Sequence, residues 1–291
     1  MGNLAIVEDT GRSLEELMGV TYSSTSTGVP SLARITQIHL PKMGEIEVNG
    51  KKIKTEVLPV GSFSIYIDED TTLYANTVTI RLFAKREKWQ RWNSETEVME
   101  KSVLGIDLKS DIKDNTGRYN LGRPAGYIPN WNELSDETKA EYRTISRVVV
   151  LMGLATFQSL DENGEEKGEV KDIPFVMDLK NRDSIKAIEA SLKSLQKKKQ
   201  MSIMTDLLLS GDQKSIPSGA TYGVIKSALT NATHEITIED QDTLKDFVEY
   251  IEWSNGIIID AHNEVVNGTV DEDIKTVVDT VMMHVEEEEN A

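Results

Sequence analysis

The sequence predicts an α+β protein. A body of five or six strands forms a barrel or a sandwich, one long insertion interrupts it, and a helical region follows. Three observations lead to this prediction. Segments of alternating apolar and polar residues recur between residues 44 and 179. No helical pattern separates each strand from the next, which disfavours a parallel α/β sheet. After Leu179 the apolar residues recur at helical spacing.

Length and composition limit the class of protein. The chain has 291 residues and no cysteine, so it can bury a sizeable core but has no disulfide, catalytic thiol or cysteine-based zinc site. It has no apolar run of about 20 residues and no basic N-terminal region followed by an apolar one. We therefore expect a soluble protein that is neither secreted nor in a membrane, in the cytoplasm, or in the host cell cytoplasm if a phage encodes it.

The acidity of the chain is concentrated at its C-terminus. The net charge is -17, and residues 232–291 hold 17 acids and two bases. The preceding 231 residues hold 32 acids and 30 bases, so the body is nearly neutral. Partners therefore have to be considered segment by segment.

The first part of the chain predicts an arm followed by a hairpin. Residues 1–34 are mostly small and polar, which is typical of a flexible N-terminal arm, with a short helix over Ser13 to Met18. The β-rich domain is assigned to residues 35–180. In it, Asn49-Gly50 supplies the positive φ of a type I′ turn, and residues 44–57 alternate on both sides of that turn.

A strongly basic strand follows. After a strand from Ser62 to Ile67, residues 78–92 alternate like a strand and carry five cations, one acid (Glu87) and two tryptophans. Cations that follow phosphates and rings that stack on bases suit single-stranded nucleic acid. The same residues also suit a half-buried strand whose rings fill a core and whose cations pair with acids elsewhere.

Residues 93–145 are predicted to be an insertion. Their segment 114–131 is rich in glycine, proline and aromatic residues but lacks the spacing of a phosphate-binding loop. Its aromatic side chains either stack on bases or anchor a long loop. A helix from Ser135 to Tyr142, with Ser135 as its N-cap, is predicted to close the insertion.

Two strands complete the β-rich domain. Residues 145–157 are strongly apolar and predict a central strand that is buried on both faces. Asn163-Gly164 marks a turn, and residues 170–179 return as the partner strand. Pro174 in the returning strand favours an edge or a bulge.

Residues 181–231 predict a mixed α/β extension. A helix is expected over residues 182–200, because Ile185, Ile188, Leu192 and Leu195 share a face. It ends in Lys197-Lys198-Lys199, which we interpret as offsetting the helix dipole rather than contacting phosphate.

Residues 232–291 predict an acidic helical module and tail. Apolar residues recur at helical spacing over residues 242–266, although Asn255-Gly256 interrupts the pattern and favours a division into two helices. A further helix is predicted over residues 271–285.

The sequence contains no recognisable catalytic or metal-binding motif. The four histidines lie without ligand spacing, and neither a nucleophile elbow nor a phosphate-binding Gly-Lys-Ser/Thr is present. We expect a protein that is not an enzyme and uses neither cofactor nor metal.

In its layout the chain resembles the single-stranded DNA-binding proteins of tailed bacteriophages. The similarity rests on residues 81–92, on the loop Gly122–Tyr127 and on the acidic run Glu286–Glu289. It implies an oligonucleotide/oligosaccharide-binding (OB) barrel that binds single-stranded DNA without sequence specificity in replication or recombination. It also implies that the acidic C-terminus contacts replication or recombination proteins and competes with DNA.

These considerations define a candidate site and its alternatives. The residues expected to stack on bases or contact phosphates are Arg81, Lys85, Arg86, Lys88, Trp89, Arg91, Trp92, Arg118, Tyr119, Arg123, Tyr127 and Trp131. The residues expected to contact protein partners are Glu286, Glu287, Glu288 and Glu289. A homo-oligomer is compatible with the sequence. Two alternatives stay open: a structural or interaction protein of a virion or scaffold, and an acidic DNA mimic that regulates a host enzyme.

Overall fold

Five strands close into a mixed β-barrel in the computed structural model, which describes residues 32–48, 51–68, 71–124, 128, 130–215, 219 and 221–268. The strands, in chain order, are β1 (Ala33–Gln37), β2 (Lys42–Val48), β3 (Lys51–Leu58), β4 (Phe63–Asp68), β5 (Thr71–Ala75), β6 (Thr77–Asn93), β7 (Val98–Lys101), β8 (Ser146–Leu160), β9 (Glu166–Leu179), β10 (Thr205–Ser215) and β11 (Thr221–Thr233). The helices are α1 (Asp136–Thr144), α2 (Arg182–Lys197) and α3 (Ile238–Asn267).

The barrel follows the order of the chain. β1 pairs with β4, β4 with β5, β5 with β8 and β8 with β9, each antiparallel. A parallel pairing of β9 with β1 closes the barrel. Its interior is filled by large side chains that are fully buried, among them Phe63, Phe175 and Leu151. The α+β class and the barrel are therefore as predicted from the sequence.

β6 extends one wall of the barrel into a larger sheet. It continues from β5 after Asn76 and pairs with β8 from Thr79 to Gln90. Its other edge pairs with β10 near its start and with β7 near its end, and residue 87 forms a bridge with Gly105 between them. The basic strand is thus an interior strand, with both backbone edges occupied.

A bulge in β6 depends on a glycine in β8. The register of the two strands shifts between Leu82 and Ala84. A Cβ atom added at Gly153 would lie 2.1 Å from the Arg81 carbonyl oxygen. Residue 153 is therefore restricted to glycine by space, and the bulge lets the side chains of β6 change their alternation between the two faces.

Helix α3 covers the outside of the sheet. Phe247 and Ile251 of α3 pack on a second apolar cluster, made of Ala84, Leu104, Val148, Val150, Met152 and Val176. Helix α2 packs through Ile185 and Ile188 against the barrel interior. None of the helices in the described ranges is both long and apolar enough to span a bilayer.

Most predicted elements are confirmed where the structure describes them. The hairpin is β2 with β3, the central strand is β8, its partner is β9, and the helix over residues 182–200 ends at Lys197. Ser135 caps α1 by accepting a hydrogen bond from the Thr138 backbone N–H at 3.1 Å. The predicted division at Asn255-Gly256 is wrong, because α3 is continuous there.

Asn255 explains the continuity of α3. Its amide group accepts a hydrogen bond from the Leu104 backbone N–H at 2.6 Å and donates one to the Leu104 carbonyl at 3.2 Å. These two bonds hold α3 on the insertion, and the helix continues through Asn255.

Four predicted features lie outside the described residues: the Asn49-Gly50 turn, the helix over residues 13–18, the helix over residues 271–285 and the rest of the arm up to residue 31. The domain boundaries stay predictions.

Candidate nucleic-acid interface

The register of the sheet places alternate residues of β6 on the side covered by α3. Arg86 lies opposite Val150, and Lys88 lies opposite Val148, and both valines belong to the apolar cluster under α3. Residues directly opposite each other in a sheet project to the same face. Continuing at every second position, Gln90 and Trp92 lie on this face too.

Three residues from other strands join this face. Arg34 of β1 is in register with Val176, and Lys101 of β7 is in register with Gln90. Asp178 of β9 lies opposite Val150. We call the set Arg34, Arg86, Lys88, Trp92, Lys101 and Asp178 the outer cationic face. It holds four cations and one carboxylate.

The single carboxylate is surrounded by cations. Lys88 Nζ lies 2.6 Å from an Asp178 oxygen, and both side chains are largely buried. Burial by itself would raise the pKa of Asp178, but the charges of Lys88, Arg34 and Lys101 hold that pKa below its ordinary value. Asp178 is therefore ionised at neutral pH, as the one negative charge in a set with four positive ones.

Two members of the outer cationic face are available to a ligand. Trp92 is 46% exposed although it is a large aromatic residue in a strand. The Arg86 guanidinium donates a hydrogen bond to the Lys85 carbonyl at 2.9 Å, and among the described residues no carboxylate lies within ion-pair distance of it. Trp92 supplies a flat ring that can stack on a base, and Arg86, six residues earlier on the same face and so about 20 Å away along the strand, supplies a guanidinium for a phosphate.

Two further predicted cations, Lys85 and Arg91, are neutralised by neighbouring carboxylates. Lys85 pairs with Glu87 at 2.5 Å, and Arg147 donates two hydrogen bonds of 2.8 Å to the same carboxylate. Burial would raise the pKa of Glu87, and these two partners lower it further than burial raises it. Arg91 pairs with two glutamates, Glu100 at 2.5 Å and Glu141 at 3.1 Å.

Trp89, Arg123 and Trp131 belong to the packing of the insertion. Trp89 is 6% exposed and lies in a cluster with Leu108, Ile112, Leu121 and Ile145. The Arg123 guanidinium lies 4.7 Å from the centre of the Trp89 ring, and burial lowers the pKa of Arg123. The Trp131 ring packs on Tyr142 at 6.4 Å, with the Arg143 guanidinium 5.9 Å away.

Two other predicted residues hold α3 in place. Arg81 forms an ion pair of 2.6 Å with Asp240 and donates a hydrogen bond to the Ile203 carbonyl at 2.8 Å. The Tyr119 ring meets the His262 ring edge to face at 5.4 Å. Arg118 is exposed, whereas Tyr127 and Glu286 to Glu289 lie outside the described residues.

The predicted site is therefore divided among several places, and only part of it faces outward. Arg86, Lys88 and Trp92 lie on one face of β6, whereas Arg81, Lys85, Trp89, Arg91, Tyr119, Arg123 and Trp131 stabilise the insertion, α3 or ion-pair networks. Arg34, Lys101 and Asp178 were not predicted, since nothing in the sequence connects strands that are far apart along the chain.

No group of acidic or histidine side chains in the described ranges is arranged to hold a metal ion. No protein-family model, curated protein or solved structure matches this chain.

The charge arrangement predicts a pH-dependent contribution of Asp178 to stability. Because its pKa is lowered by folding, Asp178 stabilises the fold above the ordinary aspartate pKa of about 3.9, and this contribution disappears as pH falls through the lowered value. We expect the Asp178→Asn variant to be less stable than the wild type at pH 7. Urea unfolding at pH 7, 4 and 3 should show this difference shrinking with acidification, and a constant difference would contradict the assignment.

Proposed function

We propose that this chain binds single-stranded DNA without sequence specificity, through the outer cationic face. Trp92 stacks on an unpaired base, and Arg86, Lys88, Arg34 and Lys101 contact the phosphates on either side. The observation that carries the proposal is the exposed Trp92 ring on a face with four cations and one carboxylate, three of the cations being close enough to lower the pKa of that carboxylate. A phosphate that replaces the Asp178 carboxylate beside Lys88 would lie near Arg34 and Lys101 as well, without a rearrangement of these cations.

The proposed activity belongs to DNA replication or recombination, the context that the phage resemblance implies. What supports it is the outer cationic face beside the five-stranded barrel, in which Trp92 is exposed and the four cations are half-buried. An OB barrel has Greek-key connectivity, whereas the strands here are neighbours in chain order. The proposal therefore rests on the outer cationic face and not on the connectivity. In the proposed function the acidic C-terminus contacts replication or recombination proteins, and the protein acts without a cofactor.

The Arg86→Gln variant tests the phosphate contacts. We expect it to bind a fluorescein-labelled oligothymidylate more weakly than the wild type, because one phosphate loses its cation. For single strands, removing one phosphate contact lowers the slope of log affinity against log salt by about 0.7. Fluorescence anisotropy between 20 and 200 mM NaCl, roughly a tenfold change in screening ions, measures both quantities.

The control for Arg86→Gln is Lys171→Gln, which removes one positive charge from an exposed site that pairs with Glu169. We expect this control to leave the salt slope unchanged. If the two variants lowered the affinity and the salt slope equally, the effect would come from net charge and not from the position of Arg86. A wild type without saturable, salt-dependent binding would contradict the proposed function.

A second candidate function is favoured by exposed apolar side chains on α3. Leu244 and Val248 are 38% and 41% exposed, four residues apart on a helix that carries eight acids and one base. Such a surface suits a structural or interaction protein, in which acidic helices contact other subunits. This alternative predicts stable assembly without nucleic acid and no salt-dependent affinity for oligonucleotides, so the same titration separates the two functions.

A further inference from the structure

Helix α2 presents a line of cations to solvent. Ile185, Ile188 and Leu195 form its buried side, within or against the barrel core. On the opposite side, cations follow one another at intervals of four, seven and four residues, which places them on one face of a helix. These residues, with the two that follow the helix, form what we call the α2 basic stripe: Arg182, Lys186, Lys193, Lys197, Lys198 and Lys199, all exposed.

The cations of the α2 basic stripe form no ion pair within the described part of the chain. None of its six cations has a carboxylate within ion-pair distance there, although the whole chain carries a net charge of -17. The two acids of α2 form their ion pairs with other cations, Asp183 with Lys214 at 2.7 Å and Glu189 with Arg147 at 2.8 Å. Asp183 also lies near the start of the stripe: Lys214 first, and then the charges of Lys186 and Arg182, lower its pKa. By contrast, the exposed cations Lys167 and Lys226 each have an acidic partner.

The helix dipole does not account for the stripe. Cations in the last turn of a helix stabilise it, which suits Lys197, but cations in the first turn oppose the dipole. Arg182 occupies the first position of α2, and Lys186 follows one turn later. The dipole therefore accounts only for the C-terminal end of the stripe, and Asp183 is the one acid near its N-terminal end. Six exposed cations with one nearby acid leave an excess of positive charge along this side of α2.

We propose that the α2 basic stripe binds the phosphate backbone of nucleic acid, in duplex as well as in single-stranded form. From Arg182 to Lys197 the stripe spans about 22 Å at 1.5 Å per residue. Duplex DNA carries a charge about every 1.7 Å of its axis with both strands counted, so a segment of this length holds on the order of a dozen phosphates, and a straight line of cations faces only those on its own side. The stripe contains no aromatic or large apolar side chain, so it has neither a ring for unpaired bases nor an apolar surface for a bilayer.

This second site is separate from the outer cationic face. That face, under the proposed function, needs unpaired bases for Trp92, whereas the α2 basic stripe needs only a backbone. Duplex binding should therefore depend on α2 and not on Trp92. The two proposals consequently fail independently: loss of single-strand stacking leaves duplex binding intact, and loss of duplex binding leaves stacking intact.

The test uses a triple variant of the full-length chain, Lys186→Gln, Lys193→Gln and Lys197→Gln, in which glutamine removes the charge but keeps an unbranched polar side chain of similar helix propensity. Anisotropy with a labelled 20-base-pair duplex and with a labelled oligothymidylate, in about 50 mM salt, gives the two affinities. We expect the duplex affinity to fall at least about tenfold. The salt slope for the duplex should fall by about 2.7, from about 0.9 for each lysine.

Two controls separate the stripe from general electrostatics. The variant Lys54→Gln, Lys109→Gln and Lys171→Gln removes the same charge from other exposed positions and should keep duplex affinity within about twofold. Trp92→Ala should bind duplex like the wild type. The proposal is overturned if the wild type does not bind duplex at this salt, if the two triple variants behave alike, or if the stripe binds vesicles with anionic headgroups while duplex affinity is unchanged.

Discussion

The Phe247→Ala variant is expected to lose about 3–5 kcal/mol of unfolding free energy, the range for truncating a buried phenylalanine. Phe247 is fully buried, and it is the residue through which α3 fills the apolar cluster on the outside of the sheet. Its ring also meets the Phe83 ring edge to face at 5.7 Å. Equilibrium unfolding in urea, followed by far-UV circular dichroism, measures the loss.

The neighbouring residue provides the control for Phe247→Ala. Val248 is 41% exposed, and its truncation to alanine should change the unfolding free energy by no more than about 0.5 kcal/mol. If Phe247→Ala and Val248→Ala had the same small effect, α3 would not be packed on the sheet as described. The position of the outer cationic face beside α3 would then lose its basis.

The second large effect concerns binding. The Trp92→Ala variant is expected to bind oligothymidylate about 5- to 150-fold more weakly, because each base that stacks on an aromatic side chain contributes about 1–3 kcal/mol. Its unfolding free energy should stay close to that of the wild type, since Trp92 is 46% exposed. Anisotropy and urea unfolding on the same preparation measure the two quantities.

Trp89 is the matched comparison for Trp92, three residues earlier on the same strand. Trp89 is 6% exposed and lies under the Arg123 guanidinium. The Trp89→Ala variant should lose about 3–5 kcal/mol of stability. If Trp92→Ala destabilised the protein as much as Trp89→Ala, Trp92 would be a packing residue, and its role as a stacking platform would be contradicted.

Sequence reasoning could predict the barrel because each strand carries its own local signal. Within the barrel, the continuous apolar run of residues 145–157 identified β8; alternation also identified the hairpin β2–β3, which forms a separate two-stranded sheet. The cap at Ser135 located the start of α1. These signals lie within a few residues of one another, so no long-range information is needed to read them.

The candidate site was only partly predictable, because local signals do not show which residues from distant parts of the chain meet. A basic aromatic strand in sequence does not show which side chains face outward, and the bulge at Leu82 to Ala84 changes the alternation in the middle of the strand. Trp89 and Trp92 look equivalent in the sequence, yet one is buried and the other exposed. The partners of the cations come from distant strands and helices, as Asp178 and Asp240 show.

The stripe on α2 illustrates the reverse case. The three lysines at its C-terminal end were interpreted as offsetting the helix dipole. That interpretation accounts for Lys197 but leaves Arg182, at the other end of the helix, unexplained. The sequence of α2 alone does not show that its two acids form ion pairs with Lys214 and Arg147, which come from strands β10 and β8, and not with the cations of the stripe.

The most direct test of the proposed function is the intrinsic tryptophan emission during titration with oligothymidylate. The chain has four tryptophans, and Trp92 is the one on the outer cationic face. We predict saturable quenching in the wild type and its loss in Trp92→Ala, measured at concentrations where anisotropy shows the oligonucleotide bound to both proteins. Undiminished quenching in Trp92→Ala, or no quenching in the wild type, would contradict single-strand binding at this face.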